Sequence, residues 1–480
     1  MTPLFLPQPF RLWLAAILIS VLTGCIKDQY DIVPVTGKSV PITVVVDQTK
    51  PGYHISSEFE GLSFETGLLA QDGAFLSTDN TVAVQLIKNL GKGILRIGGN
   101  TSDEVGWAGT GSPGKTLMKK LTTTDIDHLA EFSKATGWPV IFGLNLGDYN
   151  PEIAAAEAAY VEGSLGSNLY AFQSGNEPDV FNLSKRGHTY GYADYQKEWD
   201  SYFSSVKSAS PHAHFAGPDI DPFNPAWLES FAKNEHQHVV LLDGHYYSTG
   251  PASNAAITYH DILKPNPQLS SYLVQLSKIS AKYHLPYRIS EGNNVWGGGK
   301  PGVSDVFASA LWALDFMWTV AENNGRGVNF HSGARHFAYT PIALENGTFV
   351  ARPEYYAMLA FKYGGVGGTI IPATINDPRD YNNCTAYACM NANNTYSVTL
   401  INKEDAKNFD FTIQLTKTAS TIKIDRLIAP SITSKTDVTF AGSAVNADGT
   451  FVPSSEEHTV NNENFVVYVP AGSAAVVTIK

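Results

Sequence analysis

The sequence predicts an α/β protein in which a (β/α)8 TIM barrel is followed by an antiparallel β-sandwich. Between residues 55 and 345, short apolar β-type runs alternate with longer helical patterns, which is typical of a parallel sheet built from βα units. Eight such runs occur within about 290 residues, and this favours a closed barrel over an open sheet. Residues 346–480 carry strand-like runs separated by Asn, Asp, Gly and Ser without a useful helical pattern, which predicts the sandwich.

The first 25 residues are typical of an export signal. Arg11 precedes an apolar stretch that is too short to span a bilayer as a mature helix. The small residues before Cys25 resemble a bacterial lipobox, which implies that Cys25 is lipidated; an ordinary cleaved signal with an incidental cysteine is the alternative. Ile26, rather than an aspartate, follows the cysteine, and in a Gram-negative cell this favours the outer membrane. We therefore expect an exported lipoprotein at the periplasmic face or the cell surface.

The remaining elements are predicted in chain order. Residues 26–40 form a tether, and residues 41–54, with the β-branched run Val40–Val46, form a strand that joins the sandwich. The predicted barrel strands are Ile55–Glu65, Gly93–Gly99, Val140–Leu146, Tyr170–Glu177, His214–Ile220, Val239–Tyr247, Tyr287–Asn293 and Gly327–Gly333. The predicted sandwich strands are Thr395–Asn402, Phe409–Gln414, Thr421–Leu427, Thr436–Ala441 and Phe465–Val469.

Charge and cysteine content bear on partners and cross-links. The formal net charge is −12 and lysines or arginines form no run, so nucleic acid is not expected as a partner. Contact with a membrane is expected only through the lipid anchor. Cys384 and Cys389 remain besides Cys25. Because disulfides persist outside the cytoplasm, a short bridge between these two and a pair of free thiols are both open at this stage.

Two glutamates lie at the ends of predicted barrel strands four and seven. Strand four ends in Asn176-Glu177-Pro178 and strand seven in Ser290-Glu291. In such barrels the reactive groups lie where strands end, and a lone carboxylate at a buried strand tip is costly without a task or a partner. Glycosidic cleavage needs two carboxyls, about 5 to 5.5 Å apart for retention of configuration or about 6.5 to 9.5 Å for inversion. Two capping or salt-bridging glutamates are the structural alternative.

The strand ends resemble those of known glycosidases. Asn-Glu-Pro at strand four with a glutamate at strand seven resembles a large glycosidase clan, which implies that Glu177 is the acid/base and Glu291 the nucleophile. Repulsion between the two is expected to keep Glu177 protonated while Glu291 is ionised. The segment from Glu291 through Trp296 to three glycines, followed by Ser304-Asp305, is similar to glycoside hydrolase family 79, which includes β-glucuronidases and heparanase. Further matching segments, in order, are Leu95–Gly99, Gly175–Pro178, His245–Tyr247 and Tyr339.

This resemblance implies a site for glucuronic acid. Gly297 and Gly298 would offer backbone N–H groups, and Tyr339 a hydroxyl, to the C6 carboxylate of the sugar. A merely flexible glycine loop is the alternative. Where the family's glucuronidases have tyrosine, this chain has Trp296, whose indole donates one hydrogen bond with a different reach. Trp296 is therefore expected either to contact the uronate or to stack against a neutral sugar or an aglycone.

Other positions follow from the same resemblance. Glu65 and Asn100 would bind sugar hydroxyls or belong to loops, and Asn176 would hold the 2-hydroxyl. Tyr247 is expected to donate a hydrogen bond to Glu291. Arg96 is expected to lie buried beside the same carboxylate, with a structural ion pair as the alternative.

The histidines of the chain form no recognisable metal-binding pattern. His245 and His331 are expected to be satisfied histidines at the barrel mouth, with His245 in a supporting role. The 13 histidines are scattered and no phosphate-binding glycine loop follows a strand, so neither a metal nor a cofactor is expected.

Together these features predict a retaining exo-β-glycosidase, first of all a β-glucuronidase acting on glycans or glycoconjugates that end in glucuronic acid. Heparan sulfate is not the expected substrate, because a long polyanion calls for basic clusters that this acidic chain lacks. The alternatives are a glycosidase of the same clan with a neutral preference, such as a β-glucosidase or β-galactosidase, and a surface lipoprotein that binds carbohydrate without cleaving it. No oligomeric state is predicted.

Overall fold

The computed structural model describes residues 38–108, 120–333, 337–377 and 382–480. The predicted export signal, Cys25 and the tether up to residue 37 lie outside these ranges. Within them, no helix combines the length and the apolar character needed to cross a bilayer.

The β-strands of the described residues are numbered in chain order. They are β1 (Ser39–Val46), β2 (Glu60–Glu65), β3 (Ile94–Gly98), β4 (Gly106–Trp107), β5 (Lys120–Leu121), β6 (Val140–Leu144), β7 (Leu169–Ser174), β8 (Ala216–Ile220), β9 (Leu241–Thr249), β10 (Tyr287–Val295), β11 (Val328–Ser332), β12 (Ile342–Glu345), β13 (Thr348–Ala351), β14 (Thr369–Ile371), β15 (Ala373–Asn376), β16 (Cys384–Met390), β17 (Tyr396–Asn402), β18 (Asn408–Ile428), β19 (Thr439–Phe440), β20 (Glu456–Val469) and β21 (Ser473–Ile479).

The α-helices of the same ranges are numbered likewise. They are α1 (Thr66–Gln71), α2 (Thr81–Leu90), α3 (Thr123–Thr136), α4 (Pro151–Leu165), α5 (Tyr192–Ala209), α6 (Pro225–Glu235), α7 (Tyr259–Leu263), α8 (Pro267–Tyr283), α9 (Phe307–Glu322) and α10 (Pro353–Gly364). Short 3-10 helices cover Asn100–Asp103, Gly166–Asn168 and Pro178–Leu183.

Eight parallel strands form the barrel in the order β7-β6-β3-β2-β11-β10-β9-β8. The ring closes between β7 and β8, where the Phe172 N–H donates to the His214 carbonyl at 2.8 Å and Phe172 bridges Phe215 in parallel. Each of the eight predicted runs overlaps one of these strands, which confirms the predicted fold class. The first run was predicted to begin five residues too early, since β2 begins at Glu60 and not at Ile55.

Local sequence explains why the elements begin and end where they do. Every residue of β3, β6, β8 and β11 is buried, because helices cover the outside of the barrel and side chains fill its inside. Helix α3 begins at a capping box in which Thr122 and Asp125 exchange hydrogen bonds. It ends at Gly137, whose φ of 74° is a left-handed conformation that glycine adopts without strain.

Helix α10 lies beyond the predicted end of the barrel at residue 345, and the sequence analysis does not predict it. It contacts α9 and α2, the positions that flank the eighth helix of a closed barrel, and so completes the βα alternation. It also contacts β18, β19 and β21 of the C-terminal sheet. Because α10 is covered on both sides, ten of its twelve residues are buried and no amphipathic pattern marks it.

The C-terminal domain is a mostly antiparallel sheet in the order β14-β16-β17-β21-β18-β1-β15, with β19 and β20 also paired to β18. The exception is β1, which pairs in parallel with β18 and antiparallel with β15. Strand β15 contacts β16, so the two ends of the sheet approach each other.

Several strands of this domain differ from the prediction. The runs Phe409–Gln414 and Thr421–Leu427 are predicted as two strands, but they are the two halves of β18, which is continuous through register shifts between Gln414 and Thr421. Strands β14, β15, β16 and β21 are not predicted. Strands β16 and β21 are buried over most of their length and therefore lack the alternation that marks a half-exposed strand.

Cys384 and Cys389 do not form a disulfide bridge. Both cysteines are free, and both lie in β16. Five residues of extended strand separate their Cα atoms by about 17 Å, whereas bridging requires less than about 7 Å. Moreover, positions an odd number apart point to opposite faces of the sheet.

Candidate active site

A cleft of about 830 Å³ opens at the carboxyl ends of the barrel strands. Loops after seven of the strands contribute to its wall, as expected for a barrel of this type. Among the described residues its lining is Glu65, Asn100, Glu177, Asp221, Pro222, Phe223, Tyr247, Ser248, Thr249, Gly250, Gln268, Glu291, Trp296, Gly297, Gly298, His331, Phe337 and Tyr339.

Glu177 lies three residues beyond the end of β7. Its φ is 50°, a left-handed conformation that few bulky residues adopt, and its N–H donates to the Asp219 carbonyl at 2.8 Å. Pro178 then begins a 3-10 helix. This sharp turn directs the Glu177 side chain into the cleft, where 16% of its surface is exposed and Oε1 lies 2.8 Å from Nδ1 of His245.

Glu291 lies within β10 and only 5% of its surface is exposed. Arg96 donates from Nη1 to Oε2 at 2.7 Å, and Tyr247 donates its hydroxyl to Oε1 at 2.8 Å. Nδ1 of His331 lies 3.5 Å from Oε2. The carboxylate is therefore satisfied on both oxygens while one side faces the cleft.

The surroundings of Glu291 hold it ionised. Burial by itself would raise its pKa, but the positive charges of His331, His245 and Arg96, together with the hydrogen bond from Tyr247, lower the pKa well below the usual value for glutamate. An ionised carboxylate at the end of a strand is the form that a nucleophile requires.

The two glutamates face each other across the cleft. One oxygen of Glu177, one oxygen of Glu291 and one ring nitrogen of His245 all lie within 4.8 Å of one another. Among the described residues this is the one cluster with metal-like spacing. The pairing of Glu291 with a guanidinium and of both His245 nitrogens with carboxylates accounts for the cluster through hydrogen bonds alone.

Asp219, at the end of β8, connects the two glutamates and was missed in the sequence. Its Oδ1 lies 3.0 Å from Nε2 of His245, and its Oδ2 accepts from Nη2 of Arg96. A hydrogen-bonded chain thus runs from Glu177 through His245, Asp219 and Arg96 to Glu291. A carboxylate at the tip of a buried apolar strand was the signal that identified the glutamates, and the same signal marks Asp219.

From His245 through Asp219 and Arg96 to Glu291, the charges alternate. Burial disfavours a charged imidazole, but Asp219, Glu291 and the contact with Glu177 outweigh it and raise the pKa of His245 well above its usual value. Burial of Asp219 is likewise outweighed by Arg96 and His245, which lower the pKa of that carboxyl. His245 is therefore a charged link in the chain, whereas the sequence suggested only a satisfied histidine.

Three further predicted residues surround one end of the cleft. Glu65 lies on the wall, accepts from the Thr101 N–H at 2.9 Å, and has Oε1 3.4 Å from Nε2 of His331. Asn100 also lines the wall. Asn176 lies behind it with 3% of its surface exposed, and its side chain accepts from Arg96 at 2.8 Å and contacts Asn100 at 3.4 Å.

The glycine segment forms the wall beside Glu291. Gly297 and Gly298 have φ values of 87° and 89°, which require glycine, and both line the cleft. The Gly298 N–H points to the hydroxyl of Tyr339, which also contacts the hydroxyl of Tyr247. Trp296 is 48% exposed on the same wall. The structure thus brings together Gly297, Gly298 and Tyr339, which the resemblance assigned to the sugar carboxylate, and places Trp296 beside them.

Helix α10 contacts the strand that leads into this wall through the side chain of Glu354. Glu354 is buried, and its Oε1 accepts from Nδ2 of Asn294 at 2.8 Å while Oε2 accepts from Nδ2 of Asn293 at 3.3 Å. Nδ2 of Asn293 also reaches the Tyr339 carbonyl at 3.3 Å. Glu354 therefore ties α10 to the end of β10, and Asn293 ties the end of β10 to the segment that carries Tyr339. No local sequence pattern indicates these contacts.

Comparisons with known proteins agree with this geometry. Residues 386–476 match the model of the glycosyl hydrolase family 79 C-terminal beta domain. A beta-glucuronidase of Aspergillus niger is 24% identical over 92% of this chain and 93% of its own length, and one of Neurospora crassa is 25% identical over 69% and 67%. Heparanase of Mus musculus is 26% identical over 55% of this chain and 51% of its own.

A solved structure shows the same fold over both domains. It is a 4-O-alpha-L-rhamnosyl-beta-D-glucuronidase from Fusarium oxysporum 12S, with a TM-score of 0.73, 21% identity, and coverage of 91% of this chain and all of the other. The family model over the β-domain and the A. niger relative, which spans nearly the whole chain, confirm the predicted resemblance to glycoside hydrolase family 79, and this protein is a glycoside hydrolase.

Proposed function

We propose that this protein is a retaining exo-β-glucuronidase that releases terminal β-linked glucuronic acid from glycans or glycoconjugates. The observation that carries the proposal is the approach of Glu177 and Glu291, whose nearest oxygens lie within 4.8 Å of each other. Retaining enzymes hold their carboxyls about 5 to 5.5 Å apart, whereas inverting enzymes separate them by about 6.5 to 9.5 Å to admit water. Exo action is carried over from the β-glucuronidases that the chain resembles.

The reaction would proceed in two displacements. Glu291 attacks the anomeric carbon while Glu177 gives its proton to the glycosidic oxygen, so the C–O bond breaks, the alcohol leaves and a glycosyl ester forms. Water then attacks the same carbon, Glu177 takes its proton and Glu291 leaves as a carboxylate. The ionised state of Glu291, held by Arg96 and Tyr247, supports its role as nucleophile.

Glucuronic acid is favoured by the donors on the wall beside Glu291. The Gly297 and Gly298 N–H groups and the Tyr339 hydroxyl are neutral donors at the position that the family resemblance assigns to the C6 carboxylate. Among the described lining residues there is no lysine or arginine. Hydrogen bonds to a carboxylate are stronger than those between neutral groups, so neutral donors suffice for one uronate. A polysulfated chain would find no matching cations on the part of the lining that the structure describes, so short or weakly charged glycans suit the cleft better.

A neutral-sugar preference is the second candidate, and Trp296 is the observation that favours it. The indole is half exposed on the cleft wall and has the flat face that stacks on a sugar ring. A β-glucosidase or β-galactosidase would use this face in place of hydrogen bonds to a carboxylate.

A panel of 4-nitrophenyl β-glycosides tests the proposal. The glucuronide is expected to have the highest kcat/KM, ahead of the glucoside and the galactoside. Proton NMR of the first product is expected to show the β-anomer before mutarotation, and a glucuronide-terminated oligosaccharide is expected to yield free glucuronic acid. A clear preference for the glucoside would overturn the substrate, and an α-anomer as first product would overturn the mechanism. Binding of sugars without cleavage of any panel member would overturn the proposed activity.

We also propose export and anchoring through Cys25. The supporting observation is the apolar segment followed by Leu22-Thr23-Gly24-Cys25. Expression in a Gram-negative cell with labelled palmitate is expected to label the wild type and not Cys25→Ala, and the label is expected in the outer-membrane fraction. An unlabelled wild type would overturn the anchoring proposal.

A further inference from the structure

Phe223 is an apolar side chain in an unfavourable position. It follows β8, it is 42% exposed on the cleft wall, and its φ is 70°, a left-handed conformation that is an outlier for a bulky residue. Its ring is held edge-on against Tyr246 and Tyr272, with centroids 6.0 and 5.3 Å away. Strain and apolar exposure at one residue of a ligand cleft point to a binding role.

A second exposed aromatic side chain, Trp296, lines the same cleft. Of the exposed large hydrophobic residues in the described ranges, Phe223 and Trp296 are the ones that line the cleft. The Trp296 indole rests on Gly250, where an added Cβ would lie 2.3 Å from Cδ1 of the indole. The indole therefore lies against the segment Ser248–Gly250, which also lines the cleft.

Phe223 lies on the side of the cleft where a leaving group must be. The proton donor Glu177 has to reach the glycosidic oxygen, so the departing alcohol lies on the flank of Glu177. Strands β7 and β8 are neighbours, the Glu177 N–H binds the Asp219 carbonyl, and Phe223 follows four residues later. The sugar ring itself belongs beside Glu291, Tyr339 and Gly298.

The carboxyl groups of this flank disfavour an anionic leaving group. Asp221 lines the cleft, and burial together with the nearby Glu177 and Asp179 raises the pKa of its carboxyl to about 7. A second negative charge here would be repelled whenever these carboxyls are ionised. Gln268, Ser248 and Thr249 supply the polar rim.

We propose that Phe223 is the platform of a leaving-group subsite that takes uncharged alcohols with a flat apolar face. Such a face belongs to the ring of a phenol or to the C–H side of a neutral sugar. This inference rests on the proposed β-glucuronidase function and deepens it, since it names the class of alcohol on the other side of the bond. Phe223 contacts the departing alcohol and acts on the first displacement.

The test compares three glucuronides that differ in their leaving group. Hydrolysis of methyl, 4-methylumbelliferyl and β-1,3-galactosyl glucuronides is measured for the wild type, Phe223→Ala and Phe223→Gly. Glycine accepts the left-handed φ, so Phe223→Gly separates loss of the ring from backbone strain. Val452→Ala, at a 70% exposed apolar residue that does not line the cleft, is the control.

In both Phe223 variants, kcat/KM is expected to fall about tenfold for a ring-bearing leaving group and less than about twofold for methanol. Loss confined to the umbelliferyl compound identifies a phenol site, and loss confined to the galactosyl compound identifies a sugar site. An equal loss for all three substrates, or no loss for any, overturns the inference. Failure of the wild type to hydrolyse any glucuronide would overturn the proposed function instead.

A binding measurement gives a readout besides activity. Free 4-methylumbelliferone is expected to inhibit the wild type competitively, and its inhibition constant is expected to rise about tenfold in both Phe223 variants. Val452→Ala should keep the wild-type value. Equal inhibition constants in all four proteins would contradict a phenol site on Phe223.

Discussion

Nη1 of Arg96 donates a hydrogen bond of 2.7 Å to Oε2 of Glu291, and the two side chains are 1% and 7% exposed. The same guanidinium donates to Asp219, Asn176, Gln173 and Ser63. Five buried polar side chains thus accept hydrogen bonds from one guanidinium. The sequence suggested either a partner of the nucleophile or a structural ion pair, and in the structure one arginine fills both roles.

Replacement of Arg96 by methionine is therefore expected to affect both stability and turnover. Glu291 and Asp219 would be left buried without their counter-charge, which costs about 3 to 5 kcal/mol of unfolding free energy. Glu291 would then take up a proton, and kcat/KM for the glucuronide is expected to fall by at least about 100-fold. Thermal unfolding and kinetics measure the two effects. Lys282→Met, which breaks an exposed pair with Glu229, should change neither. A fully active Arg96→Met would contradict the role of the cation.

The two glutamates are expected to respond differently to truncation. Glu291→Ala should lose on the order of 10⁴-fold or more in kcat. Azide should restore turnover of the 4-nitrophenyl glucuronide and yield the inverted glycosyl azide, because azide attacks from the face that Glu291 leaves open. Glu177→Ala should keep activity on leaving groups that need no proton and lose it on alkyl glucuronides. Near-native activity of Glu291→Ala would show that the nucleophile is wrongly assigned.

Tyr339→Phe tests the contact with the sugar carboxylate. Loss of one hydrogen bond to a charged group corresponds to about 10- to 100-fold in kcat/KM for the glucuronide. The glucoside carries no carboxylate, so its slower hydrolysis should be almost unchanged. Tyr160→Phe, which removes a hydroxyl bound to Asp127 away from the cleft, is the matched control. Equal losses on both sugars would mean that Tyr339 acts through Tyr247 and Glu291.

Glu157 in α4 predicts a pH-dependent stability. Burial raises its pKa to about 8, so between the ordinary glutamate value and that pH the folded chain holds a proton that the unfolded chain releases. Stability therefore falls as the pH rises through this window, by about 1.4 kcal/mol for each pH unit at most. Glu157→Gln removes this loss, so it should be no more stable than the wild type at pH 4 and more stable at pH 8.

Urea denaturation at the two pH values measures this difference. Glu152→Gln, at an exposed position of the same helix, is the control; it keeps Glu157 and should follow the wild type at both pH values. If Glu157→Gln follows the wild type at both pH values, Glu157 is ionised in the folded protein.

Local patterns were sufficient for the barrel. The β-type runs around Ile97 and Phe330 are buried on both faces, and Glu177 and Glu291 each follow or end such a run. Helix α10 and strand β21 escaped prediction because both are buried on all sides, and burial of that kind removes the periodicity that distinguishes helix from strand.

The sequence by itself determined the enzyme class, since two strand-end glutamates and a glycine segment are local features of the chain. Only the tertiary structure decided how close Glu177 and Glu291 lie, because that distance depends on closure of the ring between β7 and β8. It also decided that His245 and Asp219 connect them. His245 lies 68 residues along the chain from Glu177 and 26 residues from Asp219. Side chains that far apart in sequence meet only when the packing of the whole barrel brings their strand ends to one face.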